Sequence, residues 1–423
     1  MNGFLVMRLR LWLQDAFWLI PLLGMAFAYL LDVASSGLDQ QLFDSGVRRV
    51  ISPSAATTLL VAVGGGMITF TGFVFSLVLL VLQYGSSAYS PRAVSLLLRA
   101  RSTQWILALF LATIVLSFLS VPEAGSFGRR DFAPVASLLL VALLLMASLI
   151  GFLALLHLVG KRIRVDEVLS SLGHNARRGL RRRATLQDRR EAIPLPQLER
   201  LGDEGQLLKY EGAPGQIVGL SLSSLTRIAA RHNARIVVLL RTGDAVSTGS
   251  TIAAATDATV SARQLSRCLL VRHERAIKLD PLYALRIIVD VALRALSPAV
   301  NDPTTAVRAL DEVEGVLRTA ASMQLGPVSV RGDGWEVQLP LPAWSDVVDL
   351  ALMEIVEVGI TQPQVTRRLT ALLSDLLADI PDDRARALLR YQRRLARGVQ
   401  ENLPVEYQDI ALTGDRQGIG GSR

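Results

Sequence analysis

The sequence predicts an integral membrane protein, with a four-helix transmembrane domain followed by an α+β cytoplasmic domain that includes a small β-barrel-like segment. Three observations predict it. The 423 residues are 51% hydrophobic and only 19% charged, with a mean hydropathy of +0.38, whereas soluble domains carry about 25% charged residues. The apolar residues concentrate in the first 160 positions, in four runs near or above the roughly 17 to 25 residues a spanning helix needs. Beyond them the pattern changes to short strands and amphipathic helices punctuated by Gly, Pro, Asn and Asp. The expected organisation is a transmembrane domain over 1–160, a basic juxtamembrane linker over 161–209, a small α/β or barrel-like subdomain over 210–262, a mostly helical subdomain over 263–403, and a flexible tail over 404–423.

The spans are read at 15–31, 54–82, 104–121 and 133–159. Pro21 and Gly24 inside the first run, and three further runs after it, mark it as a retained span and not a cleaved leader. Trp12, Trp18, Tyr29 and Trp105 fall where interfacial aromatics belong. Arg8, Arg10, Arg92, Arg99, Arg101, Lys161, Arg162 and Arg164 lie on one side; Arg48, Arg49, Arg129 and Arg130 lie on the other. Eight basic residues against four place both termini in the cytoplasm.

The second span differs from its neighbours. At 1.5 Å per residue it outruns a hydrocarbon core of about 30 Å, so it tilts, kinks or projects. Gly65, Thr69, Gly72, Ser76 and Gln83 recur along it at steps of three, four or seven and therefore share one stripe. Lipid does not select such a stripe. Either it packs closely on another helix, or it lines a hydrated path in an oligomer. No charged residue lies in the middle of any span, which argues against a proton- or ion-coupled pump. After it, Ser90 and Pro91 suit a helix start, and Val94, Leu97 and Leu98 give an amphipathic face with Arg92, Arg99 and Arg101.

The net charge of +8 is local. Residues 1–160 carry 9 basic and 6 acidic side chains, 161–190 carry 10 and 3, and 191–423 carry 26 and 28. Arg177, Arg178, Arg181, Arg182 and Arg183 in the basic band suit anionic lipid headgroups, each worth about 1 kcal/mol near such a surface. A topology signal on a solvated helix face is the competing reading. The nearly neutral remainder and the lack of a reader motif exclude nucleic acid as a partner.

In the soluble half, 216–220 and 235–240 read as strands, and 223–232 as a helix capped by Ser223 or Ser224. Gly243 and Gly249 flanking Val246 form a turn-strand-turn that resembles half of a biotinyl or lipoyl carrier-like barrel. Those carriers attach their cofactor to a hairpin lysine. Neither Lys209 nor Lys278 sits in such a hairpin, so the resemblance implies a structural or adaptor barrel without cofactor. A hairpin over 328–339 and helices over 345–359, 362–379 and 382–400 follow, the last basic and amphipathic. The single cysteine, Cys268, has no partner for a disulfide, and no Cys/His spacing suggests a metal. His273, Glu274, Arg275, Asp280, Asn301 and Asp302 are close enough in sequence to converge, although most are explained as caps and turn residues. Without a phosphate loop, nucleophile elbow or metal-ligating pair the sequence gives no enzyme.

The most distinctive stretch is HERAIKLDPLYALRIIVDVALRALSPAVNDPTTA, 273–306. Asp280-Pro281 caps one helix; Ser297-Pro298 ends it; Asn301, Asp302, Pro303 and Thr304 start the next, with Asp302 as cap and proline in the first turn. With the four-span layout and the Ser90-Pro91-Arg92 and Ser102-Thr103-Gln104 stretches, this turn resembles the hallmark of a bacterial membrane-protein family, domain of unknown function 2254. The resemblance covers nearly the whole chain. It implies a multi-pass protein of the bacterial inner membrane and carries no activity. From the residues, a homo-oligomer is expected: either a passive channel or transport-type protein with the stripe along its path and a cytoplasmic gate, or a non-conducting sensor or scaffold whose cytoplasmic domain binds a partner or small ligand.

Overall fold

The computed structural model describes residues 16, 18–44, 51–88, 101–122, 133–162, 164–188, 192–198, 205–277 and 279–418. The chain divides into two compact units, Leu5–Arg164 and the part from Val165 onward.

The first unit holds α1 (Leu19–Asp44), α2 (Pro53–Ala88), α3 (Arg101–Leu119) and α4 (Val135–Arg162). Each contains a stretch long and apolar enough to cross a membrane: Leu19–Gln41, Pro53–Val81, Arg101–Leu119 and Val135–Leu158. These correspond to the four expected spans, but the first runs to Gln41 and so carries Asp32 near its middle, which corrects the expectation that no span bears a charged residue there. Helix α3 lies at the centre and packs on the other three. It meets α1 most closely at Gly24, where a Cβ would stand 2.7 Å from the Ala108 carbonyl oxygen; only glycine lets the backbones approach so far. Leu60 of α2, Ala28 of α1, Leu116 of α3 and Val141 of α4 share one core cluster. In a second cluster, Phe70 of α2 stacks edge-on against Phe152 of α4 at 4.9 Å and tilts against Phe110 of α3 at 5.5 Å. The Thr113 and Ser148 hydroxyls join α3 to α4 at 3.0 Å.

Two boundaries differ from the sequence reading. The first span was expected to end at 31, yet α1 runs on to Asp44 because its carboxylates find partners. Asp32 Oδ1 accepts from the Ser120 hydroxyl at 3.2 Å. Asp39, 2% exposed, accepts from the backbone amides of Ala136 (2.7 Å) and Ser137 (3.1 Å) and from the Ser137 hydroxyl (2.8 Å). It thus caps α4 from another helix, its charge facing the positive end of the α4 dipole. Helix α2 continues unbroken through the expected loop at 83–88; its 36 residues span about 54 Å. The amphipathic helix expected around Ser90 to Arg99 lies outside the described residues.

The second unit opens with α5 (Val165–Asp188) and continues with β1 (Ile193–Pro194), β2 (Gln206–Lys209), β3 (Gly215–Leu220), α6 (Leu222–His232), β4 (Arg235–Val238), β5 (Ala245–Val246), β6 (Thr251–Ala255), α7 (Ala262–Ser266) and β7 (Leu269–Arg272). Then come α8 (Pro281–Ala295), α9 (Pro303–Ala321), the hairpin β8 (Val328–Gly332) and β9 (Trp335–Leu339), α10 (Trp344–Gly359), α11 (Pro363–Asp379), α12 (Asp382–Asn402) and α13 (Val405–Leu412). The α+β class is as expected. The strands form two open sheets, ordered β1-β8-β9-β4-β6-β2 and β5-β3-β7, around a shared core of Ile217, Leu225, Ile236, Val246, Ile252 and Val337. No closed barrel forms among the described residues. Strand β4 pairs in parallel with β9, which draws the 235–255 hairpin into the larger sheet and ties the expected small subdomain to later strands. Ser221, rather than Ser223 or Ser224, occupies the α6 cap position.

Helix α8 is the centre of the helical layer. Leu285, Ile287, Ile288, Val289 and Ala292 are fully buried, and α5, α9 and α10 pack around them. The basic segment expected as a linker is therefore a structural helix, buried along Leu169, Leu172, Ala176 and Leu180 at helical spacing. The expected flexible tail is also ordered through Gly418: α13 buries Ala411, and Arg416 pairs with Asp375 at 2.8 Å.

Candidate functional site

Residues 65, 69, 72, 76 and 83 fall within one narrow arc at 100° per residue. Gly65, Thr69, Gly72, Ser76 and Gln83 are all exposed in the chain, while Leu60, Gly64, Met67 and Val74 on the other side of α2 are buried in the bundle. A Cβ at Gly65 or Gly72 would meet nothing within 4 Å, whereas one at Gly64 would press on the Phe118 ring. Among the described residues, the stripe is thus not used for packing within the chain. Its hydroxyls bond back along their own helix, Thr69 Oγ1 donating to the Gly65 carbonyl at 3.3 Å and Ser76 Oγ to the Gly72 carbonyl at 3.0 Å.

The arginine band divides in two. Arg177 donates to Glu312 of α9 at 2.7 Å, and Arg183 turns toward Asp280 at 3.9 Å, so these two belong to the core of the second unit and not to an open basic surface. Arg178, Arg181 and Arg182 remain exposed on one face of α5. The difference follows from helical phase, because the buried seam through Ala176 and Leu180 carries its flanking arginines inward.

The sequence-adjacent polar cluster does not converge as a whole. Asp280 lies at the start of α8 and Asn301 and Asp302 follow its far end, about 22 Å of helix away. His273 and Glu274 are exposed. Arg275 and Asp280 do meet. Asp280, 2% exposed, caps α8 by accepting from the Leu282 and Tyr283 amides at 3.2 and 3.3 Å, and its second oxygen accepts Arg275 Nε at 3.1 Å and Nη2 at 2.5 Å. Arg275 also lies over the Tyr283 ring at 4.8 Å and fills the space beside Gly243 (φ +100°), where any Cβ would strike its guanidinium. Burial pulls the Arg183 pKa below its ordinary value, with Asp280 opposing that and Arg275 adding to it.

At the other end of α8 the chain reverses tightly. The Asp302 amide donates to the Ala295 carbonyl at 2.7 Å and Asn301 to that of Ser297 at 2.9 Å; Asn301 takes φ +48°, and Asp302 accepts from the Thr305 amide (3.1 Å) and hydroxyl (2.6 Å). Pro298 is exposed, Pro303 opens α9 and Thr304 is exposed in its first turn. The backbone bonds and the Asp302 carboxylate hold the turn itself, while the Asn301 side-chain oxygen accepts from the Gln362 side-chain amide at 3.4 Å and ties the turn to the start of α11.

The family model described as "Predicted membrane protein (DUF2254)" matches residues 14–375. The chain belongs to the DUF2254 family. The matched region takes in all four spans, the stripe, the arginine band and the 297–304 turn, and ends within α11. Relatives include uncharacterized proteins of Mycobacterium bovis and Mycobacterium tuberculosis, each 30% identical over 411 residues, covering 90% of this chain and 75% of the relative. No solved structure matches the chain. Among the described residues of this DUF2254 protein, no three His, Cys, Asp or Glu side chains are grouped as metal ligands would be.

Proposed function

We propose that this DUF2254 protein is a non-enzymatic oligomer of the bacterial inner membrane, in which α2 stripes from several copies border a passive path and the cytoplasmic unit gates it. One observation carries the reading: the stripe is exposed, small and polar on a helix whose opposite face is packed. A surface of that kind loses nothing by meeting its own copy, since small residues permit close approach and hydroxyl and amide dipoles tolerate water. The eight-to-four arginine and lysine asymmetry supports cytoplasmic termini. On this reading Arg178, Arg181 and Arg182 contact anionic headgroups and nucleic acid is no partner.

The test is the current carried by purified protein in a planar bilayer, across voltage and tension, beside a Thr69→Leu/Ser76→Leu variant. Discrete currents that vanish in the variant support the path; normal currents in the variant sink the assignment to α2. A second reading, a non-conducting sensor or scaffold, draws on α5, which follows α4 after only two residues and is built into the soluble core. Silence from folded, oligomeric protein under every condition favours it.

A further inference from the structure

Helix α12 is seated with one face down. Leu388, Tyr391, Leu395, Gly398 and Val399 are buried where it packs on α10 and α11, and the missing side chain at Gly398 lets the helix down onto Ile360. The opposite face holds Arg386, Arg390, Arg393 and Arg397, all exposed. Steps of four, three and four residues at 100° each keep them within one narrow arc, so they form a straight row about 16 Å long. Helix α5 packs on α8 and α9 instead, so this row is a surface apart from the α5 arginines.

Within the row, Arg390 pairs with Asp349 of α10 and lies over the Tyr391 ring at 5.0 Å. Among the described residues, Arg386, Arg393 and Arg397 have no carboxylate partner. The acids at the two ends of α12 do not serve them. Asp382 and Asp383 sit in its first turn, where the helix dipole favours them. Glu401 lies 3.7 Å from Arg394, which also holds both oxygens of Glu357 at 2.6 Å. Three cations in line on a fixed helix suit an extended anionic surface, since a single small anion cannot reach them all. A second copy of the chain has little such surface to offer: Arg318 takes Glu314 and Asp379, Arg286 takes Glu354, and Arg416 takes Asp375. A bilayer is at hand, because α5 starts two residues after the last membrane-spanning helix and the second unit is thereby tethered at a high effective concentration. Just past α12, α13 exposes Val405 (81%), Tyr407 (52%) and Ile410 (49%), an aromatic and aliphatic set that suits the headgroup boundary.

We propose that α12 docks on the anionic surface of the membrane, with Arg386, Arg393 and Arg397 on lipid phosphates and the exposed side chains of α13 entering the interface. The docking goes beyond both readings above and depends on neither.

The experiment uses the full chain in nanodiscs of phosphatidylcholine, with and without phosphatidylglycerol, and follows the modification of each arginine by phenylglyoxal with mass spectrometry. One basic residue at an anionic leaflet favours attachment about fivefold. Phosphatidylglycerol should therefore slow modification of Arg386, Arg393 and Arg397 by about fivefold or more, and molar salt should reverse the effect. A second readout places a fluorophore on Gln400→Cys, an exposed position seven residues after Arg393 on the same face, which labels selectively because Cys268 is buried. A quencher on the lipid headgroups should dim it in the anionic discs. In that background Arg386→Gln/Arg393→Gln/Arg397→Gln should lose the quenching and keep its melting temperature in detergent, while Arg386→Lys/Arg393→Lys/Arg397→Lys should retain the quenching. Tyr407→Ser, which leaves the charges alone, should weaken it. Equal modification in both discs, protection already complete in phosphatidylcholine alone, as contact with a second copy would give, or quenching indifferent to the glutamine variant would overturn the proposal. Arg178, Arg181 and Arg182 of α5 are read in the same digest, and protection there with none on α12 would overturn it as well.

Discussion

At Asn301 the backbone takes φ +48°, a conformation that costs most L residues roughly 1 to 2 kcal/mol and that asparagine and glycine enter most readily. Asn301→Gly should therefore leave the melting temperature nearly unchanged, while Asn301→Val should destabilise the soluble unit by about 1 to 2 kcal/mol in thermal unfolding. Glu336 offers a pH-dependent case. Its Oε1 accepts from Ser329 (2.5 Å), Arg331 (2.9 Å) and Gln338 (3.1 Å), and Arg235 pairs with Oε2 at 2.7 Å. Burial alone would raise its pKa, but these donors outweigh it and hold the carboxyl below its ordinary value of 4.5. The folded state therefore binds the proton more weakly than the unfolded chain does. The stabilisation is complete above the unfolded value and fades as pH falls through the lower, folded one. Glu336→Gln should melt earlier at neutral pH and show a shallower loss of melting temperature on acidification below about pH 4.5, measured by circular dichroism. Cys268 behaves oppositely: burial pushes its thiol up to about 11, so maleimide should leave it unlabelled in native protein and label it after denaturation.

Between elements, small residues and single arginines decide which helices can meet. Gly24→Leu puts a branched side chain where α1 touches the α3 backbone, and should abolish recovery of monodisperse protein in detergent, while Gly65→Leu on the open side of α2 should leave yield unaltered. Arg384 of α12 closes the C-terminal end of α9 by donating to the carbonyls of Ala321 and, at 2.7 Å, Met323, while its own carbonyl accepts the Trp344 indole N–H at 3.0 Å. How much of this could be read beforehand follows from where each signal resides. The starts of helices α8 and α9 were legible to the residue because aspartate followed by proline is a local device. The hairpin of β8 and β9 was legible from Gly332, Asp333 and Gly334. Strands β6 and β7 were missed because Thr251–Ala255 and Leu269–Arg272 are short and gain their pairing from distant partners. The seam of α5 is hidden by the arginines around it, and Asp39 lies beyond the expected end of the first span at 31, so its partners on α4 leave no local signal. The stripe lies on one helix and showed in the spacing alone.

For the molecule as a whole the open question is what covers α2. With Cys268 buried in the soluble unit, a cysteine placed in a span should be the only reactive thiol. Thr69→Cys should then form a covalent dimer under mild oxidation in membranes, and Met67→Cys, on the face packed within the bundle at 3% exposure, should not. A Thr69→Cys variant that stays monomeric on denaturing gels would remove the stripe from any contact between copies. The back-bonding of Thr69 and Ser76 has a consequence for charge. Each hydroxyl has spent its proton on a helix carbonyl, so what it turns outward is lone-pair density. The row is electronegative without bearing a formal charge. Anions gain nothing from such a row, whereas cations can trade part of their water for it, and in a potassium chloride gradient the reversal potential of any current along α2 should lie toward that of potassium.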